Sequence, residues 1–152
     1  MAAPTYLIDT NIVFLWAKGG AVADYLRRTY RLDDPLVRPL ICEITQAEAF
    51  AFASYRQWGK ERIESLQELL ASTVMIDISD ADVLGAYVDL YIAARSSGND
   101  YQNNQNDLWI AAAAKAVGAT LVTDDNRFAA LAPQHLDCVV ITSDRHNLQD
   151  PA

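Results

Sequence analysis

Acidic side chains recur along this sequence, each at or just after the start of a predicted helix. They are Asp9, Glu48, Asp107 and the adjacent pair Asp124 and Asp125. Each also has an ordinary structural explanation, because a carboxylate in the first turn of a helix caps backbone amides and complements the helix dipole. The segment Thr45-Gln46-Ala47-Glu48, for example, has the spacing of a capping box. Taken one at a time, the acids therefore do not establish a site.

The positions of these acids relative to the predicted strands indicate that they lie close together in the fold. Asp9 and Asp125 follow predicted strands, and in a parallel sheet both would leave the same edge. Asp107 begins a helix that leads back into the strand before Asp125, so it can lie at that edge as well. Carboxylates that converge within a few ångströms cannot all stay ionised without a counter-charge. Oxygen ligands with no Cys or His favour Mg²⁺ or Mn²⁺ over zinc.

Short apolar strands alternate with helices along the chain. Strands are predicted at 6–8, 40–44, 74–78, 121–123 and 138–141, and helices at 11–18, 21–30, 45–58, 61–70, 81–94, 107–117 and 126–131. This alternation predicts an α/β fold, a three-layer α/β/α sandwich around a central, mostly parallel sheet of four to five strands. Such sheets bind ligands at the carboxyl ends of their strands, where the acids are expected.

Composition limits the class of protein further. The chain has 152 residues, of which 51% are apolar and 21% charged, as in an ordinary globular domain. We expect one domain over 1–145 and a polar tail over 146–152. We also expect a cytoplasmic protein without a membrane span, with Cys42 and Cys138 as buried free thiols.

The net charge of −8 argues against a broad basic surface that holds nucleic acid. It does not exclude a nuclease, because carboxylates can bind a metal ion that then meets the phosphate.

Four segments carry the acids in a recognisable order. They are 6–11 (Tyr-Leu-Ile-Asp-Thr-Asn), 44–48 (Ile-Thr-Gln-Ala-Glu), 106–112 (Asn-Asp-Leu-Trp-Ile-Ala-Ala) and 120–128 (Thr-Leu-Val-Thr-Asp-Asp-Asn-Arg-Phe). Together they resemble the PIN domain family and, within it, the VapC toxins of bacterial toxin–antitoxin pairs. The resemblance covers nearly the whole chain.

The resemblance implies a Mg²⁺- or Mn²⁺-dependent endoribonuclease. Asp9, Glu48 and Asp107 fall on the family's acidic positions. The fourth acid of the family follows a Thr-x-Asp pattern that ends in an aromatic residue, which favours Asp125, with Asp124 as the alternative. A water activated by the metal would attack phosphorus in line and leave 5′-phosphate and 3′-hydroxyl ends.

Other residues are assigned supporting and contact roles. Asn11 and Thr123 match polar positions that support the family's metal site, and Asp124 joins them if it is not the fourth acid. The candidates for RNA contact are the basic cluster of Arg27, Arg28 and Arg31 and, in the polar loop 96–105, Tyr101. A solvated helix face is the ordinary alternative for the arginines, whereas the tyrosine ring is suited to stack on a base.

The expected partners are RNA, a second copy of the chain and an antitoxin, since family members commonly dimerise and are silenced by such a protein. An antitoxin often places a basic side chain in the acidic pocket, and an acidic chain suits a basic partner. The helix surface around Phe50, Phe52 and Tyr55 could serve these contacts, with core packing as the alternative.

Three alternatives remain beside the toxin. A stand-alone PIN-domain nuclease would process RNA without an antitoxin, and a catalytically silent PIN-fold module would only bind proteins. A phosphoacceptor receiver domain is also α/β with clustered aspartates. That design needs a paired acid after the first strand and a lysine after a late strand. It is disfavoured because Asp9 is alone after the first strand and no lysine follows Lys115.

Overall fold

The computed structural model describes residues 4–98, 105–132 and 134–142. Its strands are β1 (Tyr6–Ile8), β2 (Leu40–Cys42), β3 (Val74–Ile76), β4 (Thr120–Thr123) and β5 (Cys138–Val140). Its helices are α1 (Thr10–Lys18), α2 (Ala21–Tyr30), α3 (Glu43–Tyr55), α4 (Lys60–Ala71), α5 (Ala81–Ser96), α6 (Gln105–Ala116) and the 3-10 helix η1 (Asn126–Leu131). The predicted domain boundary at 145 and the tail lie outside the described residues.

The five strands form one parallel sheet in the order β3-β2-β1-β4-β5. The chain moves outward from β1 to β3, then returns to place β4 on the other side of β1. Leu7 pairs with Leu40 of β2 on one side and with Leu121 of β4 on the other. The strand order therefore reverses between β1 and β4, which is where open α/β sheets form a ligand crevice.

Alternate residues of a strand contribute their side chains to two separate hydrophobic cores, as the two-residue period of a strand requires. Leu7 and Leu121 pack under α5 and α6 on one face of the sheet. Ile8 and Val122 pack on the opposite face, together with residues of α1, α2, α3 and α4. The three-layer α/β/α sandwich predicted from the sequence is confirmed.

Helix α6 is buried along most of its length because its side chains are small. The four consecutive alanines 111–114 are all fully buried, and Leu108 and Ile110 precede them. Small residues let a helix approach its neighbours closely, so α6 packs between the sheet and α5. This packing fixes the start of α6, and with it Asp107, beside the edge of the sheet.

Two predicted helix starts are wrong. Helix α3 begins at Glu43, directly after β2, and its cap residue Cys42 makes no side-chain capping bond. Thr45 therefore lies within the helix rather than at its cap, and it is fully buried. The capping-box interpretation of Thr45 and Glu48 is wrong. Helix α6 begins at Gln105 rather than at the predicted residue 107, so Asn106 lies inside it. For α3 the physical reason is that β2 leads into the helix without a loop, so the helical geometry starts earlier than the sequence pattern predicts.

The two cysteines are free thiols, Cys42 buried and Cys138 half-buried. Burial raises the pKa of the Cys138 thiol to about 11 and also raises the pKa of Cys42. Across residues 4–98, 105–132 and 134–142, no helix has the length and apolar character needed to cross a membrane.

Candidate active site

The carboxyl ends of β1 and β4 bring the sequence-predicted acids to one edge of the sheet. Asp9 directly follows β1, and its backbone N–H still donates to Val122 O of β4 at 3.0 Å. Asp124 and Asp125 directly follow β4. Asp107 comes from the first turn of α6 and Glu48 from the middle of α3. The crevice at the strand reversal is therefore lined by acids from four segments of the chain.

Asp9 is the most buried of these acids, with only 5% of its surface exposed. Its Oδ1 accepts a hydrogen bond from Thr10 N at 2.7 Å, and its Oδ2 accepts one from Thr123 Oγ1 at 2.7 Å. Burial raises the pKa of Asp9, and the nearby carboxylates of Asp124 and Glu48 raise it further. Asp9 therefore caps α1 and carries its charge into the crevice at the same time.

Glu48 is oriented by hydroxyl and amide groups that the sequence analysis did not single out. Thr10 Oγ1 donates to Glu48 Oε1 at 2.7 Å, and Asn106 Nδ2 lies 3.4 Å from Oε2. Thr10 Oγ1 also lies 3.5 Å from Thr45 Oγ1. The sequence did contain a signal for these residues, because Thr10 and Asn106 are each adjacent to one of the predicted acids.

Asp107 and Asp125 are bridged by a cation that the sequence analysis also missed. Arg127 Nη2 donates to Asp107 Oδ2 at 2.8 Å, and Arg127 Nε lies 3.0 Å from both carboxylate oxygens of Asp125. A further contact joins Arg127 Nη2 to Asp125 Oδ2. Asp125 also caps η1, since its Oδ1 accepts from Arg127 N at 2.9 Å.

The electrostatics show that these acids act on one another. The pKa of Asp107 is raised to about 6, first by burial and then by the carboxylate of Asp9, with smaller contributions from Asp125 and Glu48. Arg127 opposes this increase, and it also lowers the pKa of Asp125. The four acids thus form one cluster of excess negative charge.

The donor set is chemically suited to a hard divalent cation, since it consists of carboxylate oxygens whose negative charge is only partly neutralised. In the part of the chain that the structure describes, no three His, Cys, Asp or Glu side chains are grouped closely enough to hold a metal ion as they stand. Oxygens of Asp107 and Asp125 are instead bound to Arg127.

Asp124 lines a cleft of about 650 Å³. Asn11 Nδ2 donates to Asp124 Oδ1 at 3.2 Å, and both residues line the cleft. The rings of Phe14, Phe52 and Trp58 form one wall, with the centroids of Phe14 and Phe52 4.8 Å apart. We call this feature the aromatic cleft. It opens beside the acidic cluster and is predominantly apolar.

The predicted RNA-contacting arginines pair with acids close to them in the sequence. Arg27 Nε lies 2.8 Å from Asp33 Oδ2, Arg31 pairs with Asp34, and Arg28 Nε donates to the Asp24 carbonyl at 3.4 Å. Of the three, Arg27 lines the aromatic cleft. Tyr101 lies outside the described residues.

The fold and this site define a class of protein: a doubly wound parallel α/β domain with an acidic crevice at its strand reversal. The family model for the PIN domain matches residues 6–134. The chain belongs to the PIN domain family. No curated protein matches the sequence.

Several solved structures share the fold. VapBC2 from Rickettsia felis, bound to a DNA fragment from its promoter, is 24% identical with a TM-score of 0.72, covering 90% of this chain and 98% of that chain. VapBC-1 from nontypeable Haemophilus influenzae is 23% identical with a TM-score of 0.69, covering 90% and 97%. DNA-bound VapBC from Salmonella typhimurium is 17% identical with a TM-score of 0.72, covering 91% and 98%. At these identities the similarity establishes the shared fold.

Proposed function

We propose that this chain is a divalent-metal-dependent endoribonuclease and the toxin component of a VapC-like toxin–antitoxin pair. The observation that carries the proposal is the convergence of Asp9, Glu48, Asp107 and Asp125 at one edge of the sheet, where burial and, after it, the neighbouring carboxylates raise the pKa of Asp107 to about 6. In the proposal these four acids hold Mg²⁺ or Mn²⁺. The fold shared with structures described as VapBC toxin–antitoxin complexes supports the assignment. We expect the protein to act in the cytoplasm.

The mechanism follows from what each residue can do. A bound divalent cation would lower the pKa of a water molecule and neutralise phosphate oxygens. Thr10 Oγ1 holds Glu48 Oε1 in place, and Thr123 Oγ1 holds Asp9 Oδ2. Either Asp107 or Asp125 would orient this water or accept its proton. The water oxygen would bond to phosphorus as the bond to the 3′-oxygen breaks, the water proton would pass to that carboxylate, and the 3′-oxygen would take a proton from solvent.

The nuclease proposal is tested on structured and single-stranded RNA, with and without Mg²⁺ or Mn²⁺. The wild type is compared with Asp9→Asn and with Asp89→Asn, which removes an exposed carboxylate from α5. We expect internal cleavage that requires the metal, survives Asp89→Asn and is lost in Asp9→Asn. Cleavage that is unchanged in Asp9→Asn or independent of metal contradicts the proposal.

The antitoxin proposal places a partner segment in the aromatic cleft, beside Asn11 and Asp124. Its apolar wall suits apolar side chains, and the net charge of −8 suits a basic partner. We expect Phe14→Glu to prevent co-purification with a small protein encoded beside this chain, whereas Leu36→Glu, at a site 91% exposed, does not. Equal co-purification by both variants refutes this docking site. If no such neighbouring protein exists, the stand-alone nuclease is favoured instead.

The proposed homodimer uses one face of α5. Leu84, Val88, Tyr91 and Ile92 are 45%, 54%, 38% and 58% exposed, and their spacing places them on one side of the helix. A second copy of α5 would cover this apolar face. Light scattering should find a dimer for the wild type and Leu36→Glu and a monomer for Val88→Glu. A monomeric wild type, or a dimeric Val88→Glu, contradicts the proposal.

A catalytically silent binding module is the second candidate, because Arg127 already neutralises part of the acidic cluster. It predicts neither metal binding nor RNA cleavage, with partner binding intact. The RNA experiment therefore separates the two functions directly.

A further inference from the structure

We propose that Arg127 is a displaceable occupant of the acidic cluster. In the metal-free protein its guanidinium holds Asp107 and Asp125, and a divalent cation must displace the guanidinium in order to bind. This inference rests on the proposed metal-dependent function. It adds a competitor for the metal that is part of the chain itself.

The competition follows from which atoms are in use. Arg127 Nη2 lies 2.8 Å from Asp107 Oδ2, and Arg127 Nε lies 3.0 Å from each oxygen of Asp125. The guanidinium thus engages both oxygens of Asp125 and Oδ2 of Asp107. A metal ion ligated by these two residues would compete with the guanidinium for the same oxygen atoms and would be repelled by its positive charge.

The guanidinium bridges two acids that belong to different elements of the fold. Asp107 belongs to α6, whereas Asp125 follows β4, and Arg127 ties the two together. A planar guanidinium suits such a bridge, since it can bind two carboxylates through separate N–H groups. Without this bridge the two acids would repel each other, as the effect of Asp125 on the pKa of Asp107 shows.

The bridge lies on the solvent side of the cluster. The Arg127 side chain is 46% exposed, compared with 18% for Asp107 and 22% for Asp125. A long, half-exposed side chain can rotate outward without disturbing the core. The arginine thus covers two half-buried acids from the solvent side, from which its side chain can move away.

The backbone at Arg127 can stay in place while the side chain moves. Arg127 N donates to Asp125 Oδ1 at 2.9 Å and so helps to start η1, and Phe128 on the next position is fully buried. Asp125 N in turn donates to Thr123 Oγ1 at 3.1 Å. These contacts fix Asp125 and the start of η1 independently of the guanidinium. Displacement therefore requires a change of side-chain torsions and no unfolding of η1.

The test is titration calorimetry with Mn²⁺ alone at pH 7.5, on the wild type, Arg127→Gln and Arg127→Lys. Arg95→Gln on α5 is the matched control, because it removes the same charge from an exposed arginine that contacts Tyr91. Asp9→Asn reports whether the metal binds at the acidic cluster. Thermal unfolding in EDTA and in saturating Mn²⁺ provides a second readout that does not depend on RNA cleavage.

We expect Arg127→Gln to bind Mn²⁺ about tenfold more tightly than the wild type, an equivalent of about 1.4 kcal/mol. Arg127→Lys should bind more tightly than the wild type by a smaller factor, because an ammonium keeps the charge and loses the two-carboxylate bridge. Arg95→Gln should stay within about twofold, given the screening between separate surface charges. Mn²⁺ should raise the Tm of Arg127→Gln more than that of the wild type.

Four results would overturn the inference. Equal Mn²⁺ affinity in the wild type and Arg127→Gln would show that the arginine does not compete with the metal, whereas loss of binding in Asp9→Asn would still support the proposed metal site. Weaker binding by Arg127→Gln would make the arginine a support for the metal. Tighter binding by Arg127→Gln with an unchanged Arg127→Lys would show simple charge repulsion. Absence of Mn²⁺ binding in every variant would overturn this inference and the proposed metal site together.

Discussion

Replacing Asp107 with asparagine should stabilise the metal-free protein, although Asp107 is proposed as a catalytic residue. The pKa of the Asp107 carboxyl is raised from 3.8 to about 6, first by burial and then by the carboxylates of Asp9, Asp125 and Glu48. An asparagine keeps the shape and an oxygen acceptor for Arg127 and removes the charge. The metal-free fold therefore loses a source of repulsion.

The magnitude follows from the pKa change. A rise of about two units at about 1.36 kcal/mol per unit corresponds to roughly 3 kcal/mol at pH 7.5. The attraction of Arg127 is already contained in that pKa, so it is not subtracted again. Because a change of 1 kcal/mol shifts the Tm of a domain of this size by about 2–4 °C, we expect Asp107→Asn to raise it by roughly 5 °C or more.

The pH dependence has a definite sign. The folded pKa of Asp107 lies above its unfolded value, so the stability that the protonated carboxyl provides is fully present below 3.8 and is lost as pH rises through about 6. The advantage of Asp107→Asn is consequently greatest above pH 6. It should fall to roughly half at pH 5 and disappear near pH 3.8.

The assay is urea or thermal unfolding in EDTA at pH 7.5 and pH 5, with Asp89→Asn as the exposed control on α5. Addition of Mn²⁺ should stabilise the wild type and leave Asp107→Asn much less affected. A variant that is less stable than the wild type at pH 7.5, or a difference that does not change with pH, would refute the electrostatic reasoning.

Three further predictions concern the support of the site and the core. Thr123→Val removes the donor to Asp9 Oδ2 and the acceptor for Asp125 N, so it should lower the free energy of unfolding by about 1–3 kcal/mol and weaken Mn²⁺ binding, measured by urea unfolding and calorimetry. The thiols of Cys42 and Cys138, with raised pKa values, should resist iodoacetamide at pH 8 until urea unfolds the protein, as counted by mass spectrometry. Ala113→Leu should overpack the contact of α6 and lower stability by about 1–3 kcal/mol, with stability equal to the wild type as the contradicting result.

Most of the fold could be predicted from the sequence, because short apolar strands and the helices between them leave local patterns of residues. The bounds of β1 and α2 agree with prediction, and the parallel sheet follows from the alternation of elements. The gathering of the acids could be argued from the same topology, since parallel strands end at one edge. The role of each acid remained ambiguous, because helix caps and metal ligands use the same residue types.

The contacts between elements could not be predicted. The bridge from Arg127 to Asp107 joins residues 20 positions apart, and the bond from Thr10 to Glu48 joins residues 38 apart. These contacts depend on side-chain torsions and on how closely α6 and α3 approach the sheet, neither of which a residue pattern contains.

The aromatic cleft was missed for a backbone reason. The sequence pattern extended the third helix to Trp58, yet α3 ends at Tyr55. Gln57 adopts the left-handed conformation with a φ of 55°, a role that glycine more often fills. The chain therefore turns back, Trp58 N donates to Ala53 O at 3.0 Å, and the indole packs against Phe14.

The central claim is that the acidic cluster is a metal-dependent centre for phosphodiester hydrolysis. The most direct test is the cleavage rate of end-labelled single-stranded RNA as a function of Mn²⁺ concentration, with analysis of the product ends, for the wild type, Asp9→Asn and Asp89→Asn. We predict a saturable rate with 5′-phosphate and 3′-hydroxyl products, lost in Asp9→Asn and retained in Asp89→Asn. Cleavage that persists in EDTA, or that leaves 2′,3′-cyclic phosphate ends, would contradict the claim.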